Sequence, residues 1–600
     1  MTQDILNTYR NNAATAQAEA NRLKKQINEY SLIRLAIFVS LIAFVSIGVA
    51  NNTFTIIAIS AIVLILLFAW LVKRQSEFER ERDYYTDLVS INNNEIASIE
   101  NFGNLYDDGT RYGNDKHFYT SDLDIFGKAS LFNLINRAAT TPGNNKLAGW
   151  LSAPADKPTI LLRQEAVREL SVKSNWKLEL QALLLFAKTA DSGQLSNLIK
   201  YLALPLNMPG EGWLKKYSRI APFVMLAAIL FSAFYGAKAL PVIVAVVHLG
   251  LVASRGKQIK MADLVIGKIG DTLGKYAQAF KKAEDEQWQS AYCTGLSNKL
   301  KEKQTSAEIK ELSRLINKFN NRLNLLVGSI LNIFFLWDLR QIIAIEEWKR
   351  ANRQNLEDAF DVLADYEALI SLASLHINYT HWAIPQIAEG EGYTLTAQNI
   401  GHPLIQPAKR VVNSYELRDA FKVDIITGSN MAGKSTFLRT IGINTVLALS
   451  GAPVCADVMK VSVINIISYM RIKDSLNEST STFKAELDRL QMLLGAVETV
   501  PKVFFLVDEM LRGTNSVDKY LGSKAVIEQL IAKRAVGMVA THDLQIARLE
   551  DKYPAYVNNY YFDIQVIDGE MLFDYKLKHG ECKTFNASLL LKQIGINVEE

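Results

Sequence analysis

The chain has 600 residues, with 66 Lys and Arg against 62 Asp and Glu. A net charge of +4 is too even for composition alone to indicate nucleic-acid binding. The three cysteines, Cys293, Cys455 and Cys582, are far apart and form no C-x-x-C pair. That argues against a zinc ribbon or a disulfide framework and fits a reducing compartment. The length suits about three to five domains. Hydrophobic residues make up 49% of the chain, and the excess is local.

Residues 1–31 are polar and helical in pattern, too long for the charged start of a secretory signal. Two apolar stretches follow, 32–50 and 53–72, separated by Asn51 and Asn52. Each approaches the roughly 20 residues a helix needs to cross hydrocarbon. Lys24, Lys25 and Arg34 precede the pair, and Lys73, Arg74, Arg80 and Arg82 follow it. With no charge in the turn, the basic flanks place both ends in the cytosol. Residues 73–120 read as a helical connector, and 121–217 as the first part of a helical core with apolar residues at three- and four-residue spacing.

A second apolar hairpin is expected over 218–254, with spans at 220–236 and 239–254 and Pro222 and Pro241 near the helix starts. Its flanks are again basic, and His248 reads as a packing or interfacial residue. Residues 255–380 are nearly all helical in pattern, suited to lever arms, and the short apolar patch 323–337 reads as a core or interfacial helix. From 381 to 600, short β-rich runs (VDIITG, VINIIS, VFFLVDE, GMVATH) alternate with helical stretches, the pattern of a parallel sheet with crossover helices. The expectation is a multidomain fold, a helical core and lever domain plus an α/β ATPase domain. It would be a multi-pass protein of the cytoplasmic membrane, with nearly all its mass in the cytosol.

TGSNMAGKST, residues 427–436, satisfies G-x-x-x-x-G-K-[ST]. Gly428 and Gly433 let the backbone of Ser429, Asn430, Met431 and Ala432 turn its N–H groups toward phosphate oxygens, beside the positive end of the following helix. Lys434 would neutralise the β- and γ-phosphates of ATP, Ser435 would ligate Mg²⁺, and Thr436 closes the loop. VFFLVDEM, residues 503–510, supplies Asp508 as a second Mg²⁺ residue and Glu509 to polarise the attacking water. His542, at the end of MVATH, is a candidate γ-phosphate sensor or a structural histidine.

These stretches together resemble the MutS family of DNA mismatch-repair ATPases. The phosphate loop carries that family's Asn-Met pair, Asn430 and Met431. DEMLRGTNSVD (508–518) is similar to its acidic motif, STSTFKAEL (479–487) to its signature segment, GHPLI (401–405) to the lead-in to its ATPase and GAPVCA (451–456) to the turn after its phosphate-loop helix. Residues 130–170 resemble the start of its core domain, and 355–375 the end of its lever. The resemblance implies a homodimer with two composite sites, in which Ser481 approaches the γ-phosphate bound by the other subunit. It also implies DNA as a partner and allows a MutL-like protein.

This sequence departs from the family in two places. Only residues 73–120 separate the first hairpin from the core, too few for a mismatch-reading domain, and no Phe-x-Glu wedge is visible. The second hairpin interrupts the lever region. The leading expectation is therefore a membrane-anchored MutS-type ATPase that binds DNA in an ATP-dependent way, with a role in mismatch repair or DNA-structure processing. The alternative is a mechanochemical membrane ATPase acting on the bilayer or a protein partner. An ABC transporter is disfavoured, since no LSGGQ-type segment is present and the spans offer no polar path.

Overall fold

The computed structural model describes residues 2–50, 54–189, 192–203, 208–267, 269–352, 355–429, 431–470, 482–567 and 570–582. The Asn51–Asn52 turn, Asn430 and Ser481 lie outside the described residues. The protein is mostly helical, with its strands gathered between 386 and 579.

Two long helices open the chain: α1 (Thr2–Ala50) and α2 (Phe54–Asn101). Along the first half of α1 the buried residues are Leu6, Tyr9, Ala13, Ala16, Ala20, Leu23 and Ile27. Their alternating three- and four-residue spacing is that of a coiled-coil seam, and the three alanines let α2 approach closely. Leu23 and Ile27 pack on Phe78, whose ring meets Tyr30 edge-on at 5.2 Å. Beyond residue 31 the same helix reverses its pattern. Leu32, Leu35, Phe38, Ile42 and Ile47 face outward, as do Ile62, Leu66 and Trp70 on α2. Among the described helices, Gln3–Ile47 and Glu211–Tyr235 are long and apolar enough to cross a bilayer.

The polar ends of this pair are fixed to the helical core. Glu95 on α2 is fully buried, and Arg137 grips its carboxylate with Nε on Oε1 and Nη2 on Oε2, both at 3.0 Å. Lys177 Nζ adds a third contact at 3.1 Å, and the Asn378 amide donates to Oε2 at 2.8 Å. The Tyr9 hydroxyl donates to Asn378 Oδ1 at 2.9 Å, so both helices meet the core at one cluster.

In the middle of the chain, α3 (Glu211–Tyr235), α4 (Ala239–Ala253) and α5 (Leu325–Phe335) pack on one another. Pro222 does not start a helix as the sequence suggested. α3 begins eleven residues earlier, and Pro222 lies inside it. Pro241 does fall in the first turn of α4. Over 257–378 the α-helices run between 11 and 24 residues, broken near Glu286, Gln304 and Leu336 and by a 3-10 turn at Asn321–Leu323, and they end in α6 (Asn355–Asn378) at the centre of the core.

The C-terminal part holds two sheets. One has the order β1 (Gln386–Ile387), β5 (Val458–Val461), β2 (Tyr393–Ile400), β3 (Asn413–Ala420). The other runs β10 (Glu570–His579), β9 (Val557–Ile567), β4 (Val423–Thr427), β8 (Val536–Thr541), β7 (Val503–Asp508), β6 (Asn465–Tyr469). All neighbours in the second sheet are parallel except β10 and β9. β4, β7 and β8 are buried at every position, as strands covered on both faces must be. The register pairs Thr427 with Thr541 and Asp508 with Ala540, so the carboxyl ends of three adjacent strands open onto one edge. Crossovers include α7 (Lys434–Ser450), α8 (Thr482–Thr499) and α9 (Ser516–Ala532).

Candidate functional site

Ligands of open parallel sheets bind outside the carboxyl ends of the strands, and here that edge carries a cleft of about 550 Å³. Its floor is the turn from β4 into α7. Gly428 has φ +142°, and a Cβ there would lie 2.7 Å from the Phe562 carbonyl oxygen. Gly433 has φ +108° and caps the helix that starts at Lys434. Both conformations are open to glycine and strained for other residues. The first N–H groups of α7 therefore face the cleft, a ready anion site.

Lys434 is buried, and its Nζ donates to the carbonyl oxygens of Gly428 (2.8 Å) and Ser429 (2.7 Å). Burial pushes its ammonium down to about 8, although Asp508 and Glu509 pull it back up. His542 Nδ1 lies 2.9 Å from the Gly428 oxygen and 3.3 Å from Lys434 Nζ, and Nε2 is 3.5 Å from Glu509 Oε2. The imidazole thus bridges the loop and the carboxylate.

Asp508 is the last residue of β7, and Glu509 follows in the left-handed region (φ +55°), its N–H bonded to Ala540 O at 3.0 Å. Lys519 Nζ on α9 meets Glu509 Oε1 at 2.5 Å, and Arg512 Nε lies 3.4 Å from Oε2. His542 and Lys519 hold the Glu509 carboxyl down to about 2, against the upward push of its partial burial. Arg512 Nη2 also donates to the Asp508 carbonyl at 3.1 Å. The turn after the acids is fixed from α8, where the buried Glu486 carboxylate accepts the N–H groups of Arg512 (3.1 Å) and Gly513 (3.3 Å).

Ser429, Met431, Gly433, Lys434, Ser435, Thr436, Asp508, Glu509 and His542 all line this one cleft. Gly428 forms its floor and Ala432 is buried beneath. One wall is apolar, with Ile405, Val411, Phe562 and Tyr575, the last two beside Gly433 of the loop. His402 completes that wall, and its burial lowers it to about 4, so it is neutral near pH 7. Sequence reasoning missed Glu486, Lys519, Phe562 and Tyr575. A carboxylate four residues into a helix, a lysine ten residues beyond Glu509 and rings on late strands carry no local motif.

Residues 424–593 match the family model described as MutS domain V. A DNA mismatch repair protein MutS from Aquifex pyrophilus is 29% identical over 287 residues, 47% of this chain and 32% of that protein. The DNA mismatch repair protein MutS 1 of Halobacterium salinarum is 32% identical over 207 residues, 34% of this chain and 23% of its own length. A MutS from Thermotoga neapolitana is 29% identical over 239 residues, 37% of this chain and 29% of that protein. The matched region thus spans between about a quarter and a third of these relatives.

Proposed function

Because the chain is a MutS-family protein through its domain V, we propose that it is a membrane-held ATP hydrolase whose nucleotide cycle controls its grip on DNA. The observation that carries this reading is the convergence of Lys434, Asp508, Glu509 and His542 on one cleft floored by the Gly428–Thr436 loop. The volume suits a nucleotide, with its phosphates on the loop and its base against Ile405, Val411 and Tyr575. Lys434 would balance phosphate charge, and Glu509 would accept a proton from the attacking water. Among the described residues no set of three His, Cys, Asp or Glu gathers as a metal site. Ser435 and Asp508 supply two oxygen ligands at the cleft, which suits Mg²⁺, an ion that keeps waters and takes phosphate oxygens. Bound there, it would neutralise charge on the transferred phosphoryl group.

The relatives named above are mismatch repair proteins, which supports DNA as the partner, a homodimer as the working form and a MutL-like protein as a further contact. In such a dimer Ser481 would complete the partner's site. The outward apolar faces of α1 and α2 support a multi-pass anchor in the cytoplasmic membrane, with the core and ATPase in the cytosol. A second reading, mechanical work on the bilayer or a protein, draws on the apolar cluster of α3, α4 and α5 in the lever region.

The test is the ATPase rate of the detergent-solubilised full chain, alone and with homoduplex, mismatched and branched DNA at two salt concentrations. Stimulation that weakens with salt is expected, because phosphate contacts release counterions. A robust rate indifferent to every DNA would transfer the function to the second reading. No turnover in either condition would overturn hydrolysis itself.

A further inference from the structure

α5 is short, uncharged and set against α3 and α4. The three helices meet at His248, the only ionisable residue of α4, which is fully buried. Its Nε2 lies 2.9 Å from the Tyr217 hydroxyl on α3 and its Nδ1 2.6 Å from the Ile333 carbonyl on α5. Around this polar centre the outer surfaces are apolar. Phe223, Phe234 and Val246 are more than 60% exposed on α3 and α4. On the α5 side, Val327 and Ile330 are exposed at i and i+3, and Leu323 is exposed in the turn just before the helix.

Charged residues flank α5 on both sides. The Arg322 guanidinium, just before the helix, pairs with Asp263 at 2.7 Å and with Asp338, just after it, at 3.8 Å. At about 1.5 Å per residue the helix is about 16 Å long, half the hydrocarbon thickness. With charged groups on both flanks and half the hydrocarbon thickness to span, the helix could stand upright only by burying one of those groups in the acyl chains. At its far end the chain bends by 76° at Leu336. The bend leaves little backbone unpaired, since Asn332 O accepts the Leu336 N–H (3.1 Å) and Asn332 Oδ1 accepts that of Asp338 (3.0 Å). Exposed cations stand at the same end of the hairpin, Lys216 and Arg219 before the apolar part of α3 and Lys257 and Lys260 after α4. They are placed to meet anionic headgroups.

We propose that α5 is an in-plane membrane helix, lying at the headgroup boundary of an anionic bilayer with Leu323, Val327 and Ile330 in the outer acyl region, beside the hairpin of α3 and α4. This rests on the membrane reading above and deepens it. The arm would then touch the bilayer independently of α1 and α2.

The experiment uses the full chain in nanodiscs of phosphatidylethanolamine and phosphatidylglycerol. Single cysteines at Ile330→Cys, Leu230→Cys and Leu67→Cys carry an environment-sensitive fluorophore, with the buried native cysteines replaced by serine. Lipids with shallow or deep nitroxide quenchers report depth. The expected result is quenching at 330 mainly by the shallow quencher, with deep quenching at 67 and 230. Deep quenching at 330 overturns the in-plane placement. No quenching at 330 with strong quenching at 67 overturns the proposal and leaves the first anchor standing. No quenching at any site overturns the membrane reading, and this proposal with it. Loss of the signal at 330 in Arg322→Ala, with 67 unchanged, would further support the ionic cluster as what holds the helix flat.

Discussion

Glu95→Ala tests whether the α1–α2 pair is fixed to the core by the buried charge cluster. Glu95, Arg137 and Lys177 are each no more than 1% exposed, so neither cation can reach water once the carboxylate is gone. Arg137 would keep the carbonyls of Leu134 and Asn136 and the Ser98 hydroxyl, and Lys177 would keep Ser374. Two like charges would then face each other without a counter-ion. Removing one partner of a buried pair costs about 3–5 kcal/mol, which corresponds to roughly two to four orders of magnitude in an opening equilibrium.

The assay is hydrogen exchange at the α2 amides from Ile91 to Ser98 in the full chain, since undocking of the pair should expose them before the core opens. Lys177→Met keeps the two-pronged Glu95–Arg137 grip and should cost less than Glu95→Ala, because no charge is left unpaired. The double variant should cost less than Glu95→Ala alone, because it removes one of the stranded charges. Burial alone would push the Glu95 carboxyl up, but Arg137 and Lys177 hold it well below the usual range. A depressed carboxylate contributes stability above its unfolded value of about 4.3 and loses it as pH falls. Protection in the wild type should therefore drop below about pH 4, and the Glu95→Ala profile should be flatter there. A change of less than tenfold in Glu95→Ala at neutral pH would refute the reasoning.

Four further outcomes are expected at the cleft. Glu509→Gln should bind ATP with near wild-type affinity and lose about 10²–10⁴ in turnover, measured by steady-state phosphate release. Lys434→Met should weaken nucleotide binding by about 10–100-fold, the worth of a charge-assisted contact, read by titration of a fluorescent ATP analogue. In the wild type that affinity should fall as pH rises above about 8, where Lys434 loses its proton, and Lys434→Met should lack the fall. Lys519→Met should free Glu509 as a stronger base and raise kcat by about threefold to tenfold at unchanged nucleotide Kd, whereas Lys519→Arg should keep the wild-type rate.

The parallel strands were legible because each is a short apolar run bounded by turn residues, and VDIITG, VFFLVDE and GMVATH all lie in the second sheet. The loop residues were legible for a related reason, since glycines at fixed spacing report backbone shape directly. β2, β3, β9 and β10 were not picked out. TLTAQNI and VNNYYFDIQVI interleave polar with apolar residues, so neither reads as a continuous apolar run although both lie inside their sheets. The heptad seam of α1 was present in the sequence but carried by alanines, which a search for large apolar residues passes over. Pro222 was misplaced because a proline usually marks a helix start, whereas α3 carries it eleven residues in. Glu486 and Lys519 were invisible because their partners are 26 and 10 residues away, and only the fold brings them to the acids.

α2 runs without a break from its apolar half to the cluster at Glu95, and it has a consequence for any assembly. If the apolar half of α2 lies in a bilayer, a helix of 48 residues, about 72 Å long, gives the core no hinge at which to tip relative to that anchor. If two such chains pair through a two-fold axis, both anchors must enter the same flat bilayer facing the same way. That condition is met only when the axis stands perpendicular to the membrane. A long polymer held between the two arms would then be confined to a slab parallel to the lipid surface, and its search would be two-dimensional.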